Sequence, residues 1–376
     1  MSPDTLFPTS VIGSLPRPKW VIDLLLRHQS GDLSDDGLDE AMDKAVAFAI
    51  GLQESAGVDI ISDGEWRRIG YFEVFAQRVE GFQRAVYRTQ ALAPEVLPDT
   101  GLSPPQQWTL KEFQQALVVA PMTYSRPIAA GGAAYLRRNT RRERKIKVAL
   151  PSPHMVGGRL WHAEYSGGAY ATRRDFIEAV IPILRAEVLA LRDAGVDVVQ
   201  FDDPWLCFFV DPEHRARFDD PDAEVGRAID DLNRVLAGVD GIKTALHVCR
   251  GNRARTVYAN GDYEPIMPFL LSADVDQLAM EFAVSQAGDV SIFGAFPTDK
   301  EIGLGVVDVR GEIADTPGLI VERVEKALAY LAPEQITLNP DCGFAPTSTN
   351  PISLEEAYQK LSAMAVAAEI LRERYG

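Results

Sequence analysis

Four side chains able to bind a transition metal stand at the ends of strand-like runs in the second half of the chain. His247 and Cys249 are two residues apart, so on a strand their side chains point to the same face. Glu281 and Cys342 end two later runs. Two thiolates, one imidazole and one carboxylate suit tetrahedral zinc, which accepts sulfur, nitrogen and oxygen together. The sequence therefore predicts a zinc site at these residues.

The same donor set predicts catalysis on sulfur. Structural zinc sites usually take paired ligands from short loops, whereas these donors spread from position 247 to position 342. Zinc deprotonates a coordinated thiol, and two thiolates with one carboxylate leave the site negatively charged, which suits S-alkylation better than hydrolysis. Because four protein ligands fill the tetrahedron, one must leave or the coordination must expand, and Glu281 is the candidate to move.

The elements that must position these residues alternate between short β-branched runs and longer helical patterns. Such alternation predicts a parallel sheet with right-handed crossovers. The tetrapeptide Ala-Gly-Val-Asp at 56–59 recurs at 194–197, each time ending a helix and opening a strand, and 273–276 is a looser copy. The predicted strands are 10–14, 58–65, 146–153, 196–204, 244–251, 275–283, 290–296 and 336–344, and the clearest predicted helices are 36–55, 173–193, 223–237, 319–331 and 354–375.

Eight such units predict an α/β fold of the TIM (β/α)8 barrel type. A doubly wound open sheet is the runner-up, and it is less favoured because no glycine-rich phosphate loop follows the first strand. We expect one barrel over residues 1–376, with 83–145 as an insertion between the second and third strands, because that proline-rich stretch is too long for a plain connection. Its end is a basic run at 137–147, which is either a solvated loop or a positive lip that gathers an anionic substrate.

Composition narrows the class of partner. The chain has 54 acidic and 38 basic residues and a formal net charge of −16. This charge repels phosphate backbones and anionic membrane surfaces, so we expect small-molecule substrates rather than nucleic acid or a membrane. The sequence has no leader pattern or long apolar run, so we expect a cytoplasmic protein whose three cysteines stay thiols. Cys207 lies in an apolar run and is interpreted as a packed thiol.

Polar residues also end other predicted strands. The reactive groups of a TIM barrel come from the carboxyl ends of its strands. Ser14, Glu65 and Asp202 lie at the ends of the first, second and fourth predicted strands, and His154 follows the third. The pattern predicts a polar mouth that can bind a metal ion.

These strand ends share their motifs with a known family. The motifs are Ile12-Gly13-Ser14-Leu15-Pro16-Arg17, Asp63-Gly64-Glu65, Gln200-Phe201-Asp202-Asp203-Pro204, His247-Val248-Cys249, Glu281 and Asn339-Pro340-Asp341-Cys342-Gly343. From about residue 9 onward the chain resembles the C-terminal catalytic barrel of cobalamin-independent methionine synthase. The resemblance implies a TIM barrel in which the four donors bind zinc and homocysteine sulfur is activated for methylation to methionine. It also implies that Ser14 holds the carboxylate of the amino acid and that Glu65 and Asp202 hold its ammonium group.

The chain differs from the family pattern where the methyl donor is handled. The family has an Asp-x-His sequence where this chain has Asp308-Val309-Arg310, and the family's folate-binding segment is not recognisable at 151–154. Arg310 stays protonated, so it can bind an anion but is a poor proton donor. His154 is the other candidate for a catalytic residue, although a histidine beside a proline turn is commonly just hydrogen-bonded in place. The methyl donor is therefore left open, and the N-terminal barrel of full-length family members is not found in this sequence.

Three other functions stay open at this point. Thiol transferases that open epoxides with coenzyme M also place a thiolate on zinc. Lyases of the uroporphyrinogen decarboxylase superfamily share the barrel but need no zinc ligands, so Cys249 and Cys342 count against them. A non-catalytic zinc-binding protein would leave Ser14, Glu65 and Asp202 without a role. The residues favour a zinc-dependent thiol alkyltransferase.

Overall fold

Strands and helices alternate along the chain. A computed structural model describes residues 5–68, 70–87, 113–252, 255–257, 259–346 and 352–376. The strands are β1 (Ile60–Ile61), β2 (Glu80–Tyr87), β3 (Phe113–Thr123), β4 (Lys145–Pro151), β5 (Val198–Asp202), β6 (Lys243–Val248), β7 (Gln277–Glu281), β8 (Glu301–Val307) and β9 (Ile336–Pro340). The helices are α1 (Lys19–Gln29), α2 (Asp35–Ser55), α3 (Glu73–Arg78), α4 (Ala130–Asn139), α5 (Pro153–Leu160), α6 (Ala163–Ser166), α7 (Arg173–Asp193), α8 (Pro212–Arg215), α9 (Pro221–Leu236), α10 (Met267–Leu271), α11 (Pro317–Ala327) and α12 (Leu354–Tyr375).

The parallel strands form a closed barrel. Seven of them pair in the order β1, β4, β5, β6, β7, β8 and β9. Thr9 and Ser10 close the ring, because Thr9 bridges Leu338 on β9 and Ser10 bridges Ile60 on β1. The backbone N–H of Ser10 donates to Leu338 O at 2.8 Å, and that of Ile60 donates to Thr9 O at 2.9 Å. The predicted TIM barrel is thus confirmed, and the open doubly wound sheet is excluded.

Two predicted strands are not strands in the structure. In the first, 10–14, Ser10 pairs through an isolated bridge to Ile60 and residues 11–14 have no strand structure. Residues 290–296 form a 3₁₀ helix, Val290–Ala295, and the strand in this part of the barrel is β8. The Asp289 side chain accepts the N–H of Ser291 at 2.9 Å and so starts a helical turn. The sequence of β8 has a weak strand pattern because it contains two glycines, yet the barrel requires a strand at this position. A Cβ on Gly303 would lie 2.1 Å from Nδ2 of Asn339.

The long helices match their predicted positions. The bounds of α7 and α12 are the predicted ones, and α2 begins one residue before the predicted start. α9 and α11 each begin two residues earlier than predicted, because Pro221 and Pro317 occupy the first helical turn. None of the helices in the described ranges combines the length and apolar character that crossing a bilayer requires.

The repeated Ala-Gly-Val-Asp sequence has a structural role at the amino-terminal edge of the barrel. The aspartate of each copy, the looser one included, accepts the backbone N–H of a residue at the start of a neighbouring strand. The pairs are Asp59 with Thr9, Asp197 with Ile146 and Asp276 with Thr244, at 2.9, 2.8 and 2.7 Å. Each repeat therefore ties its own strand to the next one around the ring, at the edge opposite the carboxyl ends.

Between β1 and β4 the chain forms α3, the antiparallel pair of β2 with β3, and α4. Residues 88–112 lie outside the described residues, so the predicted insertion over 83–145 stays a prediction. In the basic run, guanidinium groups form ion pairs at the amino-terminal edge of the barrel, away from the carboxyl ends. These pairs are Arg137 with Asp197, Arg141 with Glu54 and Arg144 with Asp59, at 3.3, 3.2 and 2.7 Å.

Asp59 supplies the first stability test. Its carboxylate also binds Arg144 and Arg372 and is buried, so Asp59→Ala leaves several donors without an acceptor. We expect Asp59→Ala to lower the free energy of unfolding by about 3 kcal/mol, and Asp276→Ala, at an exposed position, by about 1 kcal/mol. Urea unfolding followed by circular dichroism measures both. The exposed Asp274→Ala is the control, and an Asp59→Ala variant as stable as that control would contradict this account.

Candidate active site

A pocket opens at the carboxyl ends of the barrel strands. It brings together six of the residues that the sequence predicts for the site. These residues are Ser14, Glu65, Asp202, His247, Cys249 and Cys342, and all six line the pocket. Glu281, His154 and Arg310 lie around it without lining it.

Three of the four predicted metal donors form one buried group. His247 is the penultimate residue of β6, Cys249 directly follows that strand, and Cys342 lies just after β9. One ligand atom from each residue lies within 4.8 Å of the other two. The two sulfur atoms are 3.4 Å apart. Nδ1 of His247 donates to Ala279 O at 3.1 Å, so Nε2 is the ring nitrogen on which a metal ion can take the place of a proton. That Nε2 is buried and has no hydrogen-bond partner among the described residues, as a metal-ligating nitrogen requires.

The charges of this group also favour a cation. The Cys342 thiol donates to the sulfur of Cys249, and this holds the pKa of Cys249 well below its usual value and that of Cys342 well above it. Burial lowers the pKa of His247, but the thiolate of Cys249 outweighs burial and raises it to about 9. Without a metal ion, a proton on His247 therefore compensates the negative charge of the Cys249 thiolate. A soft divalent ion can replace that proton, because thiolate and neutral imidazole are the ligands that zinc prefers.

Glu281 lies outside the three-donor group. Its carboxylate is fully buried and is held by Nε of Arg250 at 3.0 Å and by Nη2 of Arg310. Arg310 also donates to Gly251 O at 2.6 Å. Although burial lowers the pKa of Arg310, the Glu281 carboxylate outweighs it and raises the pKa above its ordinary value. Arg310 therefore acts as a fixed cation, and both carboxylate oxygens of Glu281 are occupied.

Sequence reasoning missed two residues that support Glu281. Arg250 directly follows the His-x-Cys motif, and a buried arginine needs a carboxylate partner, which is a signal the sequence offers. Tyr263 leaves no such signal. Its hydroxyl donates to Val248 O at 2.9 Å and accepts the N–H of Glu281 at 3.2 Å. It therefore ties the end of β6 to the end of β7.

At the other end of the pocket an unusual backbone turn presents Glu65. Gly64 and Glu65 both have a left-handed backbone, with φ of 67° and 58°, and Arg17 donates to Glu65 O at 2.8 Å. A left-handed glutamate is strained, and such strain is tolerated where it places a functional side chain. A Cβ on Gly13 would lie 2.2 Å from Oε1 of Glu65, so a larger residue there would displace this carboxylate from its observed position. The turn therefore directs this carboxylate into the mouth.

Ser14 is placed by a second close approach. A Cβ on Gly343 would lie 2.2 Å from Oγ of Ser14, and the N–H of Phe344 donates to Ser14 O at 2.9 Å. The glycine that follows Cys342 thus makes room for the serine hydroxyl. Ser14 and the metal-donor group are consequently neighbours in the same pocket.

Neither carboxylate of the pocket forms an ion pair with a described residue, although Arg17 and Arg68 lower the pKa of Glu65 and His247 lowers that of Asp202. Burial raises the pKa of Glu65, and burial together with the charge of Glu65 raises the pKa of Asp202 to about 7. Oε2 of Glu65 is buried without a hydrogen-bond partner in the part of the chain that the structure describes. An ammonium group between these carboxylates would satisfy that oxygen and favour the ionised form of both.

His154 is held in place by an acidic neighbour. Its Nδ1 lies 3.0 Å from Oδ2 of Asp203, which also accepts the hydroxyl of Ser152 at 2.6 Å. This arrangement fits the plainer interpretation, a histidine hydrogen-bonded in place. It also matches the imidazole–carboxylate pairing that orients an acid–base group, so a catalytic role stays a prediction.

Comparison with known proteins agrees with the barrel and the motifs. A family model described as "Cobalamin-independent synthase, Catalytic domain" matches residues 7–122 and 169–370. A methionine synthase of Sulfurisphaera tokodaii is 29% identical over 369 residues, covering 98% of this chain and 93% of that protein. A methionine synthase of Saccharolobus solfataricus is 28% identical over 374 residues, covering 99% and 97%. A solved B12-independent methionine synthase from a Shewanella species, in complex with selenomethionine, is similar in fold, with a TM-score of 0.74, 22% identity and 98% coverage of both chains.

The fold and the site together define a TIM-barrel methyltransferase. More particularly, the chain belongs to the cobalamin-independent methionine synthase family and matches the catalytic domain of that family.

Metal analysis tests the donor group. We expect the purified protein to bind zinc stoichiometrically and to lose it in His247→Ala and Cys342→Ala, because each removes one of three donors. Glu281→Gln should weaken the affinity by about 10- to 100-fold, as for a residue that supports a metal site. Cys207→Ala, which changes a buried thiol outside the group, is the control. Zinc content unaffected by Cys342→Ala would contradict the assignment.

Proposed function

We propose that this chain transfers a methyl group to the sulfur of homocysteine, giving methionine, and that zinc is its cofactor. The supporting observation is that one pocket holds both a buried group of two thiols and an imidazole and a pair of buried carboxylates, one of which has an oxygen without a hydrogen-bond partner among the described residues. A substrate that carries both a thiol and an ammonium group can satisfy both ends. Homocysteine is such a molecule, and the curated relatives are methionine synthases.

His247, Cys249 and Cys342 would hold the zinc ion, and Glu281 is the proposed fourth ligand. When bound, zinc would keep the substrate sulfur as a thiolate at neutral pH. The Nε2 of His247, which has no hydrogen-bond partner among the described residues, and the thiolate of Cys249 support this donor set. Arg250 and Arg310 fix the carboxylate of Glu281, so a part in coordination requires it to give up one of these partners.

The other end of the pocket would orient the amino acid. Glu65 and Asp202 bind the ammonium group through charge-assisted hydrogen bonds, and the hydroxyl of Ser14 donates to the carboxylate. These contacts direct the substrate sulfur toward the cysteines. Holding the sulfur in one place relative to the incoming methyl carbon lowers the entropic part of the barrier.

The described residues constrain the identity of the methyl donor less than that of the methyl acceptor. In the transfer the sulfur lone pair forms the new bond to the methyl carbon, and the donor keeps the electrons of the bond that breaks. Arg310 is engaged with Glu281 and Gly251, so it is a poor source of a proton. His154, oriented by Asp203, is the proposed acid for a donor whose leaving group must be protonated.

The alternatives have less support. A decarboxylase-like lyase has no use for the thiol group, and an epoxide-opening thiol transferase is not favoured by the relatives, which are methionine synthases. The proposed compartment is the cytoplasm, because cysteines whose sulfurs lie 3.4 Å apart remain thiols in a reducing environment.

A donor assay tests the proposed function. The zinc-loaded protein is incubated with homocysteine and, separately, with methyl-folate, methylcobalamin and small methylated sulfur or nitrogen compounds, and methionine is quantified. We expect methionine from at least one donor, its loss in Cys342→Ala because the sulfur is no longer activated, and its retention in Cys207→Ala. Methionine formation that persists unchanged in Cys342→Ala, or is absent with every donor, would overturn the proposal.

The carboxylates give a separate test. Glu65→Gln and Asp202→Asn each remove one charge from the ammonium site, so we expect KM for homocysteine to rise about 10- to 100-fold. With 4-mercaptobutyrate, the analogue that lacks the amino group, the same variants should differ little from the parent protein. Equal effects on both thiols would show that these carboxylates do not bind the ammonium group.

A further inference from the structure

We propose that Lys147, buried inside the barrel and outside the pocket, is a positioning residue for substrate recognition. Lys147 fixes the orientation of the Gln200 amide, and the Gln200 amide in turn fixes the orientation of the Asp202 carboxylate. This inference rests on the proposed function, which assigns the substrate ammonium group to Asp202. Lys147 belongs to the basic run 137–147 in the sequence, but its position on β4 separates it from the ion pairs of that run.

A continuous hydrogen-bond chain carries the inference. Nζ of Lys147 donates to Oε1 of Gln200 at 2.9 Å. Nε2 of Gln200 donates to Oδ1 of Asp202 at 2.7 Å and to Ile12 O at 3.0 Å. Lys147 and Gln200 are 1% and 0% exposed, so water does not compete for these bonds. The chain links β4 and β5 to the segment that leads to Ser14.

The chemistry of the lysine decides which way the amide points. In its charged form Lys147 donates hydrogen bonds and accepts none, so it then requires the oxygen of the Gln200 amide on its side. The NH₂ group of Gln200 must then face Asp202 and the carbonyl of Ile12. If the amide turned over, its oxygen would meet the Asp202 carboxylate and two acceptors would oppose each other. Lys147 therefore excludes the orientation that would displace Asp202.

A lysine in this position is costly, which argues for a role. Burial lowers the pKa of Lys147 to about 7, with the charge of Asp202 opposing the shift. Barrel interiors are usually filled by branched apolar side chains, and replacing buried charged groups by apolar side chains of similar volume is often neutral or stabilising. Nothing in the proposed reaction uses Lys147 directly, since it does not line the pocket. Its hydrogen-bonded route to the pocket passes through Gln200.

Gln200 connects two walls of the pocket at once. Asp202 and Ile12 both line the pocket, and the two hydrogens of the Gln200 amide bind one each. The carboxylate oxygen of Asp202 that faces away from Gln200 is thereby left for the substrate. A fixed amide therefore sets the direction from which the ammonium group is recognised.

The test compares two thiols in Lys147→Met, which removes the donor and keeps an unbranched stem. kcat and KM are measured with homocysteine and with 4-mercaptobutyrate. We expect the preference for homocysteine to fall about tenfold, through KM, with little change for 4-mercaptobutyrate. In the Asp202→Asn background Lys147→Met should cause no further loss of preference. A general packing defect would lower activity toward both thiols and would add to the effect of Asp202→Asn.

Gln200→Met should give the same loss of preference and decides the question if Lys147→Met does not fold. Circular dichroism checks the fold of each variant. A parent protein with no preference for homocysteine would refute the proposed function, and this inference with it. A parent preference that Lys147→Met and Gln200→Met both retain would overturn only the inference.

Discussion

Closure of the barrel is the constraint on which the site depends. Residues as far apart in the sequence as Ser14 and Cys342 share one pocket only because Thr9 and Ser10 join the last strand to the first. Parallel strands deliver all their carboxyl ends to the same edge, and the ring brings those ends face to face. The aspartates of the repeated tetrapeptide secure the opposite edge, so stability and chemistry occupy different ends of the barrel.

Charge compensation organises the mouth once the ring is closed. Four arginines lie beside it without lining the pocket: Arg17, Arg68, Arg250 and Arg310. Two of them hold Glu281, and the other two lower the pKa of Glu65 against the effect of burial. Glu65 and Asp202 nevertheless keep raised pKa values, so the positive charges around them do not offset the cost of burying these two carboxylates. An ammonium group of a substrate that enters beside these two carboxylates would therefore supply the positive charge that favours their ionised form.

Much of the fold and of the candidate site could be predicted from the sequence, because both depend on patterns within short segments. The alternation of β-branched runs with helical patterns predicted the barrel, and polar residues at the ends of predicted strands predicted six residues of the pocket. Tertiary context determined what was missed. The glycines of β8 are required by atoms of neighbouring strands. A Cβ on Gly305, for example, would lie 2.6 Å from the backbone oxygen of Met280, so the sequence of β8 lacks a strand pattern. The arginine partners of Glu281 and the inward position of Lys147 follow from which strands become neighbours, which no single segment encodes.

The two ends of the described chain meet at the edge of the barrel away from the pocket. Arg372, near the end of α12, donates to Leu6 O and Phe7 O at 2.9 and 3.1 Å and also binds Asp59. Surface attachment through either terminus would therefore leave the mouth facing the bulk liquid. The same proximity makes the fold suited to circular permutation, in which the old ends are joined by a short linker and new ends are cut elsewhere.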